Sequence, residues 1–201
     1  QNKGEKEMEK IAFTDAVSET LLINLYLRSL ENKPPEPILK DEFSKDVVNR
    51  IEYDFAKFDR SKLSRVGVAI RARFFDDWIV KFTRTHPSAV IVQLGAGLDT
   101  RPLRLAPLCP EATFYDLDLP DVIALRDKLV PKAPRNYSLP CSMLETAWMD
   151  ELARKHAGEE FVFVLEGVSM FFEKPIFREF FLNLAARFSG LVLVDLLNDF
   201  A

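Results

Sequence analysis

The segment AVIVQLGAGLDTRPLRL, residues 89–105, joins a β-branched apolar run to a glycine pair and then to a helix that opens near Pro102. Only seven glycines occur among the 201 residues, and Gly95 and Gly97 stand two apart directly after that run. At the carboxyl end of a parallel strand, missing side chains let a ligand lie against the backbone. The segment therefore predicts a strand over Val90–Leu94 and a ligand-binding turn after it; a tight turn without a ligand is the alternative.

Four more short apolar runs follow this segment, and helical stretches separate them. Strands that alternate with helices in this way form βαβ units, whose crossovers cover both faces of a parallel sheet. Residues 86–201 are therefore predicted to form an α/β core with a doubly wound, mostly parallel sheet. The four runs are ATFYDL, NYSL, EFVFVL and LVLVDL, which begin at residues 112, 136, 160 and 191.

The first 85 residues show no strand pattern. Residues 15–30 (DAVSETLLINLYLRSL) predict a helix that is apolar nearly all round and is therefore buried on several sides. A short helix is predicted within DEFSKDVVNRI, residues 41–51, and a long helix over residues 64–83. A chain of 201 residues with 48% hydrophobic content predicts a single domain, 1–201, in which residues 1–85 form a helical cap on the core.

The composition excludes several classes of partner. The 27 basic and 31 acidic residues are mixed along the chain, and the net charge of −4 gives no broad cationic surface for nucleic acid or an anionic membrane. No apolar run approaches the length of a membrane span. Cys109 and Cys141 are too few for a disulfide framework, and no Cys/His cluster has the spacing of a metal site. These features predict a metal-free protein of the reducing cytoplasm.

The second predicted strand ends in FYDLDLP, which places Asp116 and Asp118 21 and 23 residues after Gly95. In nucleotide-binding sheets, an acid about 20 residues after the glycine turn binds the ribose hydroxyls. By strand alternation both carboxylates point to the same side, so either one is a candidate. The alternative is that an aspartate here caps the helix that begins near Pro120.

The residue at position 100 separates two kinds of nucleotide ligand. A dinucleotide fingerprint, G-x-G-x-x-G/A, requires Gly or Ala there, but the chain has Thr100. A ligand with an adenosyl end and no phosphates, such as S-adenosylmethionine, tolerates threonine because no phosphate has to reach the helix N-terminus. S-adenosylmethionine is therefore favoured over a nicotinamide dinucleotide.

Two ionisable residues are predicted in apolar surroundings. Glu166 follows the fourth strand, and in a doubly wound sheet it faces Gly95 across the crevice at the switch point. An unpaired buried carboxylate is costly, so Glu166 requires either a cationic ligand or an internal arginine. Arg71 falls on a helical stripe that is otherwise apolar, and its partner is either a ligand carboxylate or an internal acid. That stripe is Val68, Arg71, Phe75, Trp78 and Phe82.

Six segments of the chain, in their order and spacing, resemble the leucine carboxyl methyltransferase family. They are most similar to its bacterial branch, which includes O-methyltransferases of polyketide biosynthesis. The segments are AVSETLLINLYLRS, AIRARFFDDWI, LGAGLDTR, YDLDLP, PCSMLETAWMDEL and LEGVSMFF. The resemblance covers nearly the whole chain and implies an S-adenosylmethionine-dependent O-methyltransferase with the Rossmann-like fold of class I methyltransferases.

The resemblance also implies roles for individual residues. Arg71 matches the family's arginine for the methionine carboxylate of the cofactor, and Glu166 matches the acid after strand four. Asp118 matches the acid that binds the ribose. The cofactor loop is formed by Gly95, Ala96 and Gly97.

The chain departs from the family pattern in three places. Ser142 and Met143 stand where the family often has an Asp-Leu pair near the adenine, although a serine hydroxyl can still form a hydrogen bond and a methionine can pack on a ring. The N-terminal lysine of the eukaryotic protein-methylating members has no counterpart, which disfavours methylation of a phosphatase tail. Methyltransferases of this class normally add a helix and an antiparallel strand pair after the run LVLVDL, and these C-terminal strands are expected to be missing from this sequence, which ends at Ala201. Strand five is therefore expected to be an edge that a second copy of the chain would cover in a homo-oligomer.

Transfer of a sulfonium methyl is an in-line displacement, so holding the acceptor oxygen behind the methyl carbon is the main requirement. A carboxylate acceptor needs no base, whereas a hydroxyl benefits from one. His86 and His156 fall away from the crevice, which favours a carboxyl acceptor or else a base from elsewhere, such as Tyr26 on the first helix. That helix, with Phe171 and Phe172, is expected to line an apolar pocket for a small-molecule methyl acceptor, although both phenylalanines are equally compatible with the core.

Two other functions stay open on the sequence alone. One is a degenerate domain that binds the cofactor but no longer transfers methyl groups. The other is an NAD-dependent oxidoreductase, which Thr100 and the lack of a hydride-relay residue disfavour.

Overall fold

A five-stranded parallel sheet forms the centre of the molecule. The computed structural model describes residues 8–14, 17–32, 35–59 and 62–196. Within them the sheet has the order β3-β2-β1-β4-β5, so that β1 lies between β2 and β4 and the chain crosses over at this point. The predicted α/β, Rossmann-like, doubly wound sheet is thereby confirmed. The strands are β1 (Val90–Leu94), β2 (Thr113–Asp118), β3 (Asn136–Pro140), β4 (Phe161–Leu165) and β5 (Gly190–Val194).

Three helices precede the sheet and four are interleaved with its strands in the described part of the chain. The predicted first helix begins at Glu19; its predicted start, Asp15, lies outside the described residues. The helices are α1 (Glu19–Ser29), α2 (Glu42–Val48), α3 (Lys62–Thr83), α4 (Arg101–Leu105), α5 (Pro120–Leu129), α6 (Ala147–Lys155) and α7 (Lys174–Ala185). Short 3-10 turns occupy Leu30–Asn32, Phe55–Phe58 and Ser169–Phe171.

The sheet is buried on both faces, which explains why its inner strands are continuous apolar runs rather than alternating ones. On one face, Val92 of β1 packs in a cluster with Trp148 of α6 and Phe180 of α7. On the other face, Ile91 and the neighbouring strand β4 pack under Ile79 of α3. Burial of these apolar side chains is the main source of stability for the core.

The buried face of α3 differs in part from the predicted one. The predicted stripe included Trp78, but Trp78 is 38% exposed and contacts Phe74 edge-on. The side chains that face the core are Val68, Ala72, Phe75 and Ile79. The prediction was right for Val68 and Phe75, which are buried, and wrong for Trp78; Ile79, the next residue along the helix, packs on the sheet in its place.

Strand β5 lies at one end of the sheet. In the described part of the chain it pairs with β4 alone, and Val192 in its middle is exposed. No helix among the described residues is both long and apolar enough to cross a membrane.

Candidate functional site

A cavity of about 600 Å³ opens at the carboxyl ends of β1, β2 and β4, where a doubly wound sheet normally binds its ligand. Its wall comes from five places in the chain: α1 as far as Arg28, the end of β1 with the turn Gly95–Asp99, the end of β2, the loop Cys141–Met143, and the loop Glu166–Phe172. The cavity therefore lies between the N-terminal helices and the sheet, with walls from both.

The glycine turn is required by the backbone and by packing. Gly95 and Gly97 have φ angles of 67° and 50°, which side-chain-bearing residues rarely adopt. A Cβ on Gly95 would lie 2.6 Å from a methyl carbon of Val168, and one on Gly97 would lie 3.0 Å from Leu21. In this structure, side chains of the protein itself make the close approach at both glycines. Val168 and Leu21 also line the cavity, together with Gly95, Ala96 and Gly97.

Asp118 lies on the cavity wall at the end of β2. Its Oδ2 accepts a hydrogen bond from the backbone N–H of Gly97 at 2.8 Å, and its Oδ1 accepts one from the N–H of Leu119 at 2.8 Å. It forms no cap of α5, because both donors precede that helix. The two bonds aim the carboxylate and leave further lone pairs for a ligand, as a ribose-binding acid requires.

Burial raises the pKa of Asp118 above its ordinary value of 3.8, against the opposing effect of its two backbone donors. An acid with a raised folded-state pKa lowers the free energy of unfolding as the pH rises from its unfolded pKa through its folded pKa. Without cofactor, the melting temperature of Asp118→Asn minus that of wild type is therefore expected to be larger at about pH 7 than at about pH 4. A melting-temperature difference that is the same at both pH values would contradict this assignment.

Asp116, the other candidate ribose acid, does not reach the cavity. It is fully buried and accepts hydrogen bonds from Arg126 at 2.9 Å and from Asn136 at 2.8 Å. Arg126 in turn donates to the carbonyl oxygens of Gly97 and Asp99, at 3.1 and 2.6 Å. Asp116 thus supports the glycine turn from behind, and Asp118 is the acid that faces the cavity.

Glu166 lines the cavity and is surrounded by guanidinium groups. Its Oε2 accepts a hydrogen bond from Arg101 at 2.5 Å, its Oε1 accepts one from Arg71 at 3.2 Å, and Arg28 lies 3.8 Å from Oε1. Of the two partners predicted for Glu166, the structure contains the internal arginines. The carboxylate nevertheless lies on the cavity wall, where it adds negative charge.

The two arginines of the helical cap have different positions. Arg71 lies outside the cavity wall and donates to Asp195 at 2.8 Å as well as to Glu166. Arg28 of α1 is buried, lines the cavity, and donates to Asp99 at 2.8 Å. The sequence contained a signal for Arg28, because it lies in the nearly all-apolar helix LLINLYLRS, but only Arg71 was singled out.

A buried ion cluster fixes α4 against the helical cap. Arg101 and Arg104 both bind Asp76 of α3, at 2.7 and 2.6 Å. Arg104 also donates to Asp99 at 3.0 Å. Burial opposes ionisation of Asp99, but Arg28, Arg101 and Arg104 together hold the pKa of Asp99 well below its usual range. The turn after β1 is thus anchored by charges from α1, α3 and α4.

Thr100, the residue that breaks the dinucleotide pattern, has a structural role. Its hydroxyl donates to both carboxylate oxygens of Asp41, at 2.6 and 2.7 Å. Asp41 also caps α2 through the N–H of Ser44. The start of α4 therefore bonds to the helical cap, and it does so at the position where a dinucleotide-binding chain keeps a small residue.

The loop after β3 lies on the opposite side of the cavity from Glu166. Ser142 and Met143 both line it, and the Ser142 hydroxyl accepts a hydrogen bond from the N–H of Leu144 at 3.3 Å. Cys141 lies beside them, and burial raises the pKa of its thiol to about 11. The loop offers an apolar side chain, a hydroxyl and a neutral thiol to a ligand.

Tyr26, the candidate base, is not on the cavity wall. Its hydroxyl donates to Asp59 at 2.5 Å, and its ring stacks on Phe55. Burial and the hydrogen bond to Asp59 raise the pKa of Tyr26 to about 12. A base works best when its pKa lies near the operating pH, so this position and this pKa argue against Tyr26 as the base. The contact was not foreseeable, since Asp59 lies 33 residues away.

The remaining predicted pocket residues divide between wall and surface. Phe171 and Phe172 both line the cavity; Phe171 is 65% exposed at its mouth, while Phe172 stacks on Phe177 of the core. His86 stacks on the ring of Phe82, away from the cavity. The sequence analysis did not single out four polar residues that lie on the cavity wall: Ser18, Thr20, Asn24 and Gln93.

A cavity at the switch point of a parallel sheet, with a carboxylate at the end of the second strand, is the arrangement expected of the Rossmann-like fold of class I methyltransferases. A solved structure of a Thermobifida fusca protein classed as a methyltransferase shares the fold, with a TM-score of 0.52 and 15% identity over 74% of this chain and 62% of that one. A model of the leucine carboxyl methyltransferase family matches residues 22–185. The chain belongs to the leucine carboxyl methyltransferase family.

Two curated relatives support the same placement. The tetracenomycin polyketide synthesis O-methyltransferase TcmP of Streptomyces glaucescens is 34% identical over 164 residues, 81% of this chain and 57% of the relative. The S-adenosyl-L-methionine-dependent methyltransferase dpfgK of Gibberella zeae is 36% identical over 129 residues, 60% of this chain and 43% of the relative. The chain thus spans about half the length of these relatives.

Proposed function

We propose that the chain is an S-adenosylmethionine-dependent O-methyltransferase that acts on a small organic acceptor. The observation that carries this proposal is the Asp118 carboxylate, held at the cavity wall by two backbone N–H groups with Glu166 on the opposite strand. The names of the two curated relatives, both methyltransferases, support the same reaction.

The cavity suits a cationic nucleoside. Its ionisable wall residues are three acids, Asp99, Asp118 and Glu166, and one base, Arg28. Arginines bind Asp99 and Glu166, whereas Asp118 accepts from backbone N–H groups, so Asp118 is the wall acid whose charge is available to a cationic ligand. S-adenosylmethionine is such a ligand, because its sulfonium and ammonium charges exceed its single carboxylate charge. Asp118 would bind the ribose, and Ser142 with Met143 would contact the adenine.

The amino-acid end would lie toward β4. Glu166 is placed to accept from the ammonium group, and the neighbouring guanidinium groups of Arg28 and Arg71 are the donors for the carboxylate. Gly95, Ala96 and Gly97 supply the turn against which the chain between sugar and sulfur would lie. When bound, the cofactor supplies a methyl group that is already activated, so the protein's task is to orient the acceptor.

The acceptor oxygen has to arrive ionised, because the described cavity wall lacks a suitable base. Glu166 is bound to guanidinium groups, the pKa of Asp99 is held low, and the pKa of the Cys141 thiol is raised to about 11. A carboxylate or an acidic phenol meets this requirement, whereas an alkyl alcohol does not. The apolar wall formed by Phe171, Phe172 and their neighbours suits an aromatic or otherwise apolar body.

The pH dependence of transfer tests this acceptor class. With an aromatic carboxylic acid, kcat/KM is expected to be flat from about pH 6 to about pH 8, since the acid is ionised throughout. With a phenol of the same shape, kcat/KM is expected to rise with pH up to the pKa of the phenol. If kcat/KM changes with pH with the same apparent pKa for both acceptors, the protein contains a base, and the proposal is contradicted.

A binding domain without transferase activity is the second candidate. It is favoured by one observation, the position of the candidate base Tyr26 off the cavity wall, where its hydroxyl donates to Asp59. Saturable binding of S-adenosylmethionine without transfer to any member of an acceptor panel would establish it. An oxidoreductase is disfavoured, because Thr100 bonds to Asp41 where a dinucleotide would need close approach.

We also propose that residues 1–201 act as one unit in the cytoplasm, without nucleic acid, metal or membrane as a partner. The ion cluster that joins α1–α3 to α4 supports the single unit. The free thiols of Cys109 and Cys141 support a reducing compartment. The β5 edge, paired on one side in the described residues, supports association between copies of the chain.

A further inference from the structure

Asp195, the residue directly after β5, forms bonds in three directions. Its carboxylate accepts from the backbone N–H of Gly167, at 2.8 and 3.0 Å for the two oxygens, and from Arg71 at 2.8 Å. Its carbonyl oxygen accepts from the hydroxyl of Ser169 at 2.7 Å. Its own N–H reaches the carbonyl of Leu165 at the end of β4, at 3.3 Å. Asp195 itself does not line the cavity.

These bonds hold the loop that supplies one whole wall of the cavity. Of the loop Glu166–Phe172, every residue except Ser169 lies on that wall. Gly167 has a φ of 70°, and a carboxylate bound to its N–H fixes the direction in which the chain leaves β4. That direction determines where Glu166 and Val168, on either side of Gly167, enter the cavity.

The same carboxylate restrains Arg71. The Arg71 guanidinium lies between Glu166 and Asp195, with one nitrogen bonded to each acid. Loss of Asp195 would leave this partly exposed guanidinium with Glu166 alone and free to turn. Asp195 therefore influences both the acceptor-side wall and the charges at the amino-acid end of the proposed cofactor.

We infer that Asp195 is a positioning residue: it sets the Glu166–Phe172 wall of the cavity and holds Arg71 beside Glu166, without touching cofactor or acceptor. This inference rests on the proposed methyl transfer for its kinetic consequence, but its structural consequence is independent of activity. Hydrogen exchange in the loop measures the structural consequence, and transfer kinetics measure the kinetic consequence.

The test compares Asp195→Ala, which removes all side-chain bonds, with Asp195→Asn, which retains an oxygen for the Gly167 N–H. For Asp195→Ala, we expect faster hydrogen exchange in residues 166–172 and a fall of about 100-fold in kcat/KM for the acceptor, the size expected for a misplacement of about 1 Å. For Asp195→Asn, which keeps an acceptor for Gly167 but loses the charge that holds Arg71, the fall is expected to be smaller but measurable, about 3- to 10-fold. In both variants the dissociation constant of S-adenosylmethionine should rise by a smaller factor than kcat/KM falls, since Arg71 at the amino-acid end is released but Arg28 and the Asp118 site are intact.

Asp150→Ala is the matched control. Asp150 binds Arg187 at 2.7 Å, much as Asp195 binds Arg71 at 2.8 Å, but the Asp150 side chain is exposed on α6. The variant should leave loop exchange and kcat/KM unchanged. Unchanged loop exchange in Asp195→Ala would overturn the inference, as would equal losses of cofactor affinity and of kcat/KM. Should Asp195→Ala not fold, Asp195→Asn decides instead. Wild-type loop exchange and wild-type kinetics in Asp195→Asn would mean that Asp195 contributes to stability alone, and they would overturn the inference. A wild-type protein that binds the cofactor without transfer would instead refute the proposed function, while the exchange result still decides the inference.

Discussion

Asp118→Ala is expected to weaken binding of S-adenosylmethionine by about 10- to 150-fold, because hydrogen bonds to a charged group contribute about 1.5–3 kcal/mol. The carboxylate is held by the N–H groups of Gly97 and Leu119 and faces the cavity, so its remaining lone pairs are aimed at the ligand before it arrives. Alanine removes the acceptor for both ribose hydroxyls at once. The dissociation constant can be measured directly by calorimetry.

Asp121→Ala is the control for this prediction. Asp121 is exposed in the first turn of α5, three residues from Asp118, and it does not line the cavity. The Asp121→Ala substitution removes the same charge near the start of the same helix, so a general electrostatic effect would weaken binding in both Asp118→Ala and Asp121→Ala. Equal affinities for Asp118→Ala and wild type would mean that the ribose does not bind at the end of β2.

Arg101→Met is expected to lower the free energy of unfolding by about 3–5 kcal/mol, the largest stability effect in this molecule that we predict. The guanidinium is fully buried and binds Asp76 at 2.7 Å and Glu166 at 2.5 Å, with Asp99 at 3.4 Å. Methionine fills much of the volume but leaves these carboxylates with too few cations, and an uncompensated buried charge is costly. Urea unfolding of the two proteins gives the difference.

Arg73→Met, a substitution in α3, is the comparison, because it removes an arginine from an exposed ion pair rather than from the buried cluster. Arg73 binds Asp77 at 2.8 Å, but both side chains are largely exposed to solvent. Exposed pairs of this kind contribute at most about 0.5 kcal/mol. A similar loss of stability for Arg73→Met and Arg101→Met would contradict the central role assigned to the buried cluster.

Much of the fold followed from local pattern. The five strands, the switch point between β1 and β4, and the positions of Gly95, Asp118 and Glu166 at strand ends all depend on short-range features: β-branched runs, glycine spacing and strand alternation. Features of this kind are visible in sequence because neighbouring residues determine them.

What could not be predicted depends on contacts between distant segments. Alternation made Asp116 and Asp118 equivalent, and the contacts of Asp116 with Arg126 of α5 and Asn136 of β3 separate them. Tyr26 was a reasonable candidate base until its contact with Asp59 was known. Such pairings depend on how helices pack, which propensity and periodicity do not specify.

The choice between candidate arginines has the same origin. Arg28 and Arg71 both lie in apolar helices, and the sequence gives no reason to prefer Arg28 for the cavity wall. Phe75 and Ile79 of α3 pack on the sheet, which leaves Arg71 partly exposed at the edge of the site, whereas Arg28 of α1 is buried on the wall. A shift of one residue in the buried stripe is enough to exchange such roles.

Isothermal titration calorimetry of the purified chain with S-adenosylmethionine, S-adenosylhomocysteine and NAD tests the central claim most directly. We expect saturable binding of both adenosyl compounds at a single site in each chain, weakened in Asp118→Ala and unchanged in Asp121→Ala, with no binding of NAD. The account would be contradicted by a wild-type chain that binds NAD, or by one that binds neither adenosyl compound.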